Sequence, residues 1–361
     1  MLSIPSESSC PRAAQADSLG QSTGVDVSAR IVSLELAETF TIARGSQDTA
    51  DVVEVEIRHG GVSGFGEAAP IDRYDESAAS ALGYVESVAA DLGDDPFALE
   101  DVMRRLPNEQ FAARSAIDAA LHDLCGKLVG EPVWRFLGLG RLGPPTSWTI
   151  GLAAPDEMAA KAAKAHASGR FRRLKLKLGG GDGLDVDRVR AVREVTDVPL
   201  QADVNEYWSL EEALDALPRL AELGLEYCEQ PLRAGDPDGQ KLKAAAAIPV
   251  YVDEDCHTLA DVAACAPVAH GVNIKLAKSG GIGEAVRMAH AARYLGLGVM
   301  LGCMVESGLG IAAGAAMAGL CDHVDLDGNL LIAHDPWTGV ELADGVQTPS
   351  EEPGLGVRPA S

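Results

Sequence analysis

Aromatic side chains are scarce, at 4% of the 361 residues. The core must then be filled by Ala, Val, Leu and Gly, which favours closely packed helices and strands. Basic residues are also short: 30 Lys and Arg stand against 54 Asp and Glu, a formal net charge of −24. Such a surface is expected to bind neither nucleic acid, which needs a basic face, nor an anionic membrane surface. No apolar run approaches the roughly 18 residues that would suggest a membrane span. No CxxC pair occurs among Cys10, Cys125, Cys228, Cys256, Cys265, Cys303 and Cys321, and their number is odd. They read as scattered small core residues in a reducing compartment, not as a disulfide framework. The first 29 residues lack both an apolar h-region and a charged n-region. They are expected to form a disordered extension and not a signal peptide. The chain is expected to be soluble and cytoplasmic.

Regular patterning begins near Ile31, where Ile31–Leu36 alternates like a strand. Val52–Ile57 and Val62–Glu67 follow as two more strands around a Gly60-Gly61 turn, and helical stretches cover Glu76–Leu92, Ala98–Arg105 and Phe111–Val129. Residues 30–146 thus read as an α+β domain. From Ser147 short β-rich runs alternate with helical stretches: Trp148–Gly151, Arg173–Leu178, Leu200–Val204, Glu226–Glu229, Val250–Asp253, Val272–Leu276, Val299–Cys303 and His323–Asp327. The fold class is therefore α/β, a (β/α)7-8 TIM-type barrel over 147–335 behind the α+β domain. An open doubly wound sheet is disfavoured, because no GxGxxG turn follows the first strand. Gly179-Gly180-Gly181 reads as a flexible loop. Residues 336–348 are expected to complete the first domain, and 349–361 to form a flexible tail.

Spacing carries the chemistry. Lys177, Asp203, Glu229, Asp253 and Lys275 each fall at or just past the C-terminal end of a strand, at intervals of 26, 26, 24 and 22 residues. Barrel active sites lie at that end. Asp203, Glu229 and Asp253 would converge from three adjacent strands, and three anions in one partly buried place repel. A hard cation with oxygen ligands resolves this, and one Mg²⁺ per subunit is expected. No His or Cys stands at a matching strand end, which argues against Zn²⁺. The alternative, acids that merely cap helices, suits one such residue better than three in phase.

Side chains at i and i+2 share a strand face, so Lys175 and Lys177 both point into a barrel. Neighbouring ammonium groups depress each other's pKa, so one can act as a neutral base near pH 7. Lys275, on the sixth strand, lies opposite the second. Lys278 is expected to be a loop or helix-start residue. A metal-bound carboxylate stabilises the enediolate left when its α-proton departs. A base on each face then removes the proton from one side and returns it from the other, inverting the stereocentre. A single base would instead favour elimination.

At Leu174–Lys177, Asp203-Val204-Asn205, Glu229-Gln230-Pro231, Asp253-Glu254-Asp255 and Asn273-Ile274-Lys275 the chain resembles the enolase superfamily, in its muconate-lactonizing subgroup. The resemblance covers nearly all of the chain from Ile31. It implies metal ligation by Asp203, Glu229 and Asp253, acid/base roles for Lys177 and Lys275, tuning of Lys177 by Lys175, and supporting positions behind the ligands for Asn205 and Glu254. It also makes the α+β domain a capping domain. The family often has Ser where Asp255 stands and Ala where Val204 stands, so Asp255 adds charge near the expected metal. Within the subgroup the chain is most similar to the dipeptide epimerases of the L-Ala-D/L-Glu type, which serve in recycling of cell-wall peptides. That resemblance implies that Asp325 and Asp327 bind a dipeptide's α-ammonium. It also places Arg44, in Thr41–Ser46, where it can pair with an acidic second residue. Met304 would line the pocket.

A dipeptide epimerase is thus expected, with a small dipeptide as substrate and no nucleic-acid or membrane partner; a homo-oligomer stays open. Two other readings stand beside it. An o-succinylbenzoate synthase or muconate-type cycloisomerase would have no use for an ammonium clamp at Asp325 and Asp327. A non-catalytic metal-binding scaffold would not require lysines on both faces.

Overall fold

The structure, a computed structural model, describes residues 25–360. Most of the expected N-terminal extension, residues 1–24 with Cys10, lies outside the described residues. Its last part does not fit the expectation: Asp26–Arg30 already pairs in register with Glu54–Arg58. Strands β1 (Asp26–Ile42), β2 (Gly45–His59) and β3 (Val62–Ala68) form an antiparallel sheet in that order. The β1–β2 ladder breaks between Glu35 and Phe40 and resumes as far as Ile42–Gly45. The hairpin tip at Ala43–Arg44 therefore projects well beyond β3.

The sheet packs on the helix Phe111–Val129, whose Ala112, Ala113, Ala116 and Ala120 are buried. Small residues let backbones approach closely, and β3 matches them with glycines. A Cβ on Gly66 would lie 2.0 Å from Ala116 O, and one on Gly64 2.1 Å from Ala120 O. Asp123 of this helix is fully buried and accepts from Phe65 N at 2.8 Å and Leu355 N at 2.7 Å. One side chain thus ties β3, the helix and the C-terminal segment together.

That last contact corrects the expected flexible tail. Leu355 and Val357 are buried, Val133 N donates to Gly354 O at 2.8 Å, and Arg358–Pro359 pairs with Trp337–Thr338. Buried Leu355 and Val357 act together with these backbone bonds and the strand pairing to hold the segment down. Residues 336–348 also divide. Trp337 docks on the first unit, its Nε1 donating to Glu54 at 2.7 Å beside Phe65. The hairpin of Glu341–Ala343 and Val346–Thr348 instead lies on the barrel, where Gln347 donates to Leu326 O at 2.8 Å.

Eight parallel strands follow: β4 (Ser147–Ile150), β5 (Arg173–Lys177), β6 (Leu200–Asp203), β7 (Leu225–Glu229), β8 (Val250–Val252), β9 (Gly271–Lys275), β10 (Gly298–Gly302) and β11 (His323–Asp325). They pair in chain order, and a Thr146–Val324 bridge brings the last back to the first. The barrel expected from the alternation of strands and helices is the barrel observed. Outward residues such as Leu174, Leu176, Leu200 and Ala202 are buried under helices. Inside, Tyr227, Tyr251 and Met300 fill the lower barrel. Local signals set the helix starts: Ser209 and Glu212 form a reciprocal capping box before Leu210–Glu222. Gly179, which opens the Gly179–Gly181 loop, is buried, whereas Gly180 and Gly181 are exposed. A Cβ on Gly179 would lie 2.7 Å from Val204 O, and Gly179 N is held by Asp185 at 3.0 Å.

Candidate active site

The C-terminal ends of the barrel strands converge on a cavity of about 320 Å³ that Arg44, Lys175, Lys177, Asn205, Asp253, Lys275, Met304, Asp325 and Asp327 line. Asp203 and Glu229 lie fully buried at its base. Alternation on β5 sends Lys175 and Lys177 inward between outward leucines. Lys275 ends β9, four strands away in either direction. Gly302 leaves room for it: a Cβ there would lie 3.1 Å from Lys275 Cε. All twelve site residues expected from sequence are gathered at this end of the barrel.

The charges alternate. Lys177 Nζ lies 2.6 Å from Asp203 Oδ2. Lys275 Nζ lies 2.8 Å from Asp253 Oδ2. Lys175 Nζ reaches Asp325 Oδ2 at 2.7 Å, Glu229 Oε2 at 2.6 Å and Asp203 Oδ2 at 3.6 Å. The expectation that Lys175 and Lys177 chiefly repel each other needs correction, because carboxylates intervene. Burial alone would lower the Lys175 pKa, but Asp325, Glu229 and Asp203 outweigh it and hold it well above the usual lysine range. Burial likewise opposes protonation of Lys275, and Asp253 and Glu229 raise it nevertheless. Asp203 would be raised by burial but is held at about 2 by Lys177 and Lys175. Burial pushes Glu229 up despite Lys175. Asp327 is pushed to about 7, first by burial and then by Asp325.

The three acids expected to hold a metal are matched with lysines, and among the described residues no three His, Cys, Asp or Glu side chains stand at metal-ligand spacing. Whether the site suits a cation rests on its acceptors. Glu229 Oε2, Asn205 Oδ1, Glu254 Oε2 and Asn273 Oδ1 are buried oxygens without a hydrogen-bond donor. Lys175 approaches Glu229 Oε2 closely, but without the angles of a hydrogen bond, so the contact is ionic only. Buried acceptors normally find a partner. Four buried oxygens without a hydrogen bond, one of them on Glu229 itself, and no soft ligand among them fit a hard divalent cation.

Several participants were not assigned to the site from the sequence. Lys278 stands in the short helix Leu276–Ser279 that starts directly after β9, the helix-start alternative, but it is 1% exposed and its Nζ is within bonding distance of Asp253 O at 2.6 Å, Cys256 O at 2.9 Å and Asn273 O at 3.1 Å, and of Asp253 Oδ1. The apolar run Leu276-Ala277 beside it was the available signal. Thr149 backs the acidic pair, its N donating to Asp327 at 2.7 Å. Asn273 Nδ2 donates to Glu229 Oε1 at 2.6 Å. Tyr74 enters from the first unit, its ring edge on His257.

Asn205 supports Asp203 twice, through N at 2.9 Å and Nδ2 at 3.1 Å. Glu254 faces the hairpin tip, accepting from Arg44 Nη1 at 2.6 Å, and burial with the Asp253 and Asp203 charges pushes it to about 7. Arg44 is thus already paired within the protein. Asp255 turns away from the acids to accept from Gln230 at 2.8 Å and Gly235 N at 2.7 Å. Met304 lines the wall, its N held by Glu306 at 2.9 Å.

Two family models match the chain. One, described as mandelate racemase / muconate lactonizing enzyme, N-terminal domain, matches residues 25–138, and one described as enolase C-terminal domain-like matches residues 157–361. The chain is 38% identical over 330 residues to the L-Ala-D/L-Glu epimerase of Bacteroides thetaiotaomicron, covering 90% of this chain and 85% of that protein. It is 39% identical over 341 residues to the L-Ala-D/L-amino acid epimerase of Pedosphaera parvula, covering 90% and 97%. Among solved structures, the dipeptide epimerase of Enterococcus faecalis V583, complexed with Mg and the dipeptide L-Leu-L-Tyr, matches with a TM-score of 0.88 at 33% identity, covering 92% of this chain and 99% of that one.

Proposed function

The chain belongs to the mandelate racemase / muconate lactonizing enzyme family of the enolase superfamily, and from that membership we propose that it is an isomerase that epimerises dipeptides at the carbon beside their carboxylate. The observation that carries this reading is the pairing of Lys177 and Lys275, from strands four apart, in one cavity with Asp325 and Asp327.

Asp203, Glu229 and Asp253 would hold one Mg²⁺ per subunit. When bound, the cation supplies charge neutralisation for a substrate carboxylate, which makes the neighbouring C–H more acidic. The protein's own groups do the rest. Lys177 Nζ and Lys275 Nζ are amines on opposite sides, one to take the α-proton and the other to return one. Asp325 and Asp327 offer carboxylate oxygens to the dipeptide's α-ammonium. Lys175 holds Asp325 and Glu229 in place. Its deep burial and three acidic neighbours suit that role better than proton transfer. Arg44, bonded to Glu254 and Glu206, closes the wall near the dipeptide's second residue. An acidic side chain there would compete for a guanidinium that already has partners.

A dipeptide library in D₂O tests this reading directly. Incorporation of one deuterium at the α-carbon, with loss of optical purity, is expected for L-Ala-containing dipeptides. Absence of exchange across the library, with Mg²⁺ present, would end the proposal.

A further inference from the structure

After β6 the backbone does something costly. Asn205 and Glu206 are consecutive non-glycine residues with φ of 49° and 72°. This left-handed region is uncommon for residues with a Cβ and is disfavoured by its clash with the backbone. Glycine would adopt it freely. A residue kept there against that preference is a reason to ask what its side chain does.

The Glu206 carboxylate answers in full. Its backbone N is fixed on Gln230 O at 2.8 Å, so the side chain has a defined origin. Oε1 accepts from Arg73 Nη2 at 2.9 Å and from Ala234 N at 3.0 Å. Oε2 accepts from Arg73 Nε at 2.9 Å and from Arg44 Nη1 at 3.3 Å. Arg73 therefore meets it in a two-pronged fork, the stronger guanidinium–carboxylate geometry. Arg73 belongs to the Asp72–Tyr74 turn and Arg44 to the tip between β1 and β2. These are two separate segments of the N-terminal unit, and both contribute to the wall of the cavity, through Tyr74 and Arg44. Two guanidinium groups would repel if brought together alone. One carboxylate between them, 12% exposed, turns that repulsion into a shared attachment.

We propose that Glu206 is a positioning residue that latches two separate N-terminal segments, the Arg44 tip and the Asp72–Tyr74 turn, onto the barrel mouth and so sets the shape of the substrate pocket. This rests on the reading of that cavity as the substrate site. The two attachments are unequal. Arg44 keeps a second partner in Glu254 at 2.6 Å, whereas Glu206 is the carboxylate to which Arg73 is bonded. Loss of Glu206 should free the Asp72–Tyr74 turn more than the hairpin tip.

Trypsin reads this without reference to activity, because it cuts after both arginines and needs their side chains free. Full-length wild type, Glu206→Gln and Glu206→Gly would be digested briefly and the fragments identified by mass spectrometry. Glycine suits the left-handed backbone, so the second variant removes the latch without straining the fold. In both variants the Arg73–Tyr74 bond should be cut about fivefold faster, as expected for loss of a partly exposed ion-pair network. The Arg44–Gly45 bond should respond less and other sites not at all. About 0.5 M salt should move the wild type towards the variants, since screening acts on such pairs. KM for a turned-over dipeptide should rise about fivefold, with kcat changing less. Unchanged cleavage at both bonds would overturn the latch, as would equal acceleration across the whole chain, which signals general loosening. If cleavage responds but wild type turns over no dipeptide, the latch stands and the substrate reading falls.

Discussion

Lys278 grips Asp253 from below, bonding both its carboxylate and its backbone oxygen while lying fully out of solvent. Asp253 thereby meets Lys275 on one oxygen and Lys278 on the other. Burial would raise its pKa, and these two ammonium groups instead drive it far below the usual carboxylate range. Replacing Lys278 by Met should remove the charge and its contacts to four acceptor oxygens. Breaking a buried pair by deleting one partner costs about 3 kcal/mol or more, and chemical denaturation would measure it. Stability within error of the wild type would mean that Lys278 contributes nothing net to the fold.

The proposed division of labour between Lys177 and Lys275 makes a sharper expectation. Lys275→Ala should abolish epimerisation yet leave deuterium exchange of one substrate epimer, because the amine on the other side still reaches its proton. Lys177→Ala should show the opposite preference. Each loss should be large, since positioned acid/base groups contribute about 10²- to 10⁴-fold. Proton NMR in D₂O with each pure epimer distinguishes the cases. Interconversion of both epimers by either variant would defeat the two-base scheme.

Much of this was legible because a barrel repeats. Five charged residues near 25-residue spacing, each ending an apolar run, mark one end of the barrel without any knowledge of its closure. Lys175 and Lys177 read correctly as inward-facing because a two-residue period leaves no other choice. Three things were hidden. The intervening carboxylates around Lys175 depend on contacts across the barrel, from Asp325 to Lys175, which no local pattern encodes. Lys278 follows a strand end by only three residues and looks like surface until the chain turns under Asp253. The C-terminal segment looked frayed because its composition is that of a tail, while Leu355 and Val357 are buried and Leu355 N bonds to Asp123, over 200 positions earlier.

Removal of the metal is the most economical test of the acids. Activity should vanish in excess EDTA and return with added Mg²⁺, because Asp203, Glu229 and Asp253 are all-oxygen donors with unpartnered acceptors beside them. Full activity in EDTA would exclude a metal role for these residues.

The acidic pair of β11 calls for care in choosing a variant. Asp325 accepts from the buried Lys175 at 2.7 Å, so removing it would disturb the fold as well as any ligand. Asp327→Asn is cleaner, because an amide oxygen can still accept from Thr149 N. If Asp327 helps to hold an ammonium group, KM should rise at least about tenfold, the loss of roughly one charge-assisted bond, with little change in melting temperature. Unchanged KM would remove the clamp and favour a reaction on an uncharged substrate.

Glu67 offers a test of how the two units are joined. It lies buried on β3 and accepts from Ser307 N at 2.8 Å and from the Ser307 hydroxyl, across the seam with the barrel. Burial pushes its carboxyl from 4.5 up to about 8, the nearby Glu306 adding to the rise against the Ser307 bonds. Glu306 itself is pushed by burial to about 7. A carboxyl whose folded pKa exceeds its unfolded value binds its proton more tightly in the native state. Its contribution to stability is therefore complete below about pH 4.5 and is lost as pH rises through about 8. The melting temperature of the wild type should fall between pH 5 and 9 for this reason. Glu67→Gln stays neutral throughout, and its amide can accept from Ser307 N while donating to the hydroxyl. The variant should match the wild type near pH 5 and melt about 2 °C or more above it near pH 9, because the raised pKa is worth several kcal/mol and each kcal/mol moves the melting temperature by roughly 1 °C in a chain of this length. Thermal melts across this range decide the matter. Parallel curves for the two proteins would show that Glu67 carries no excess proton at the seam.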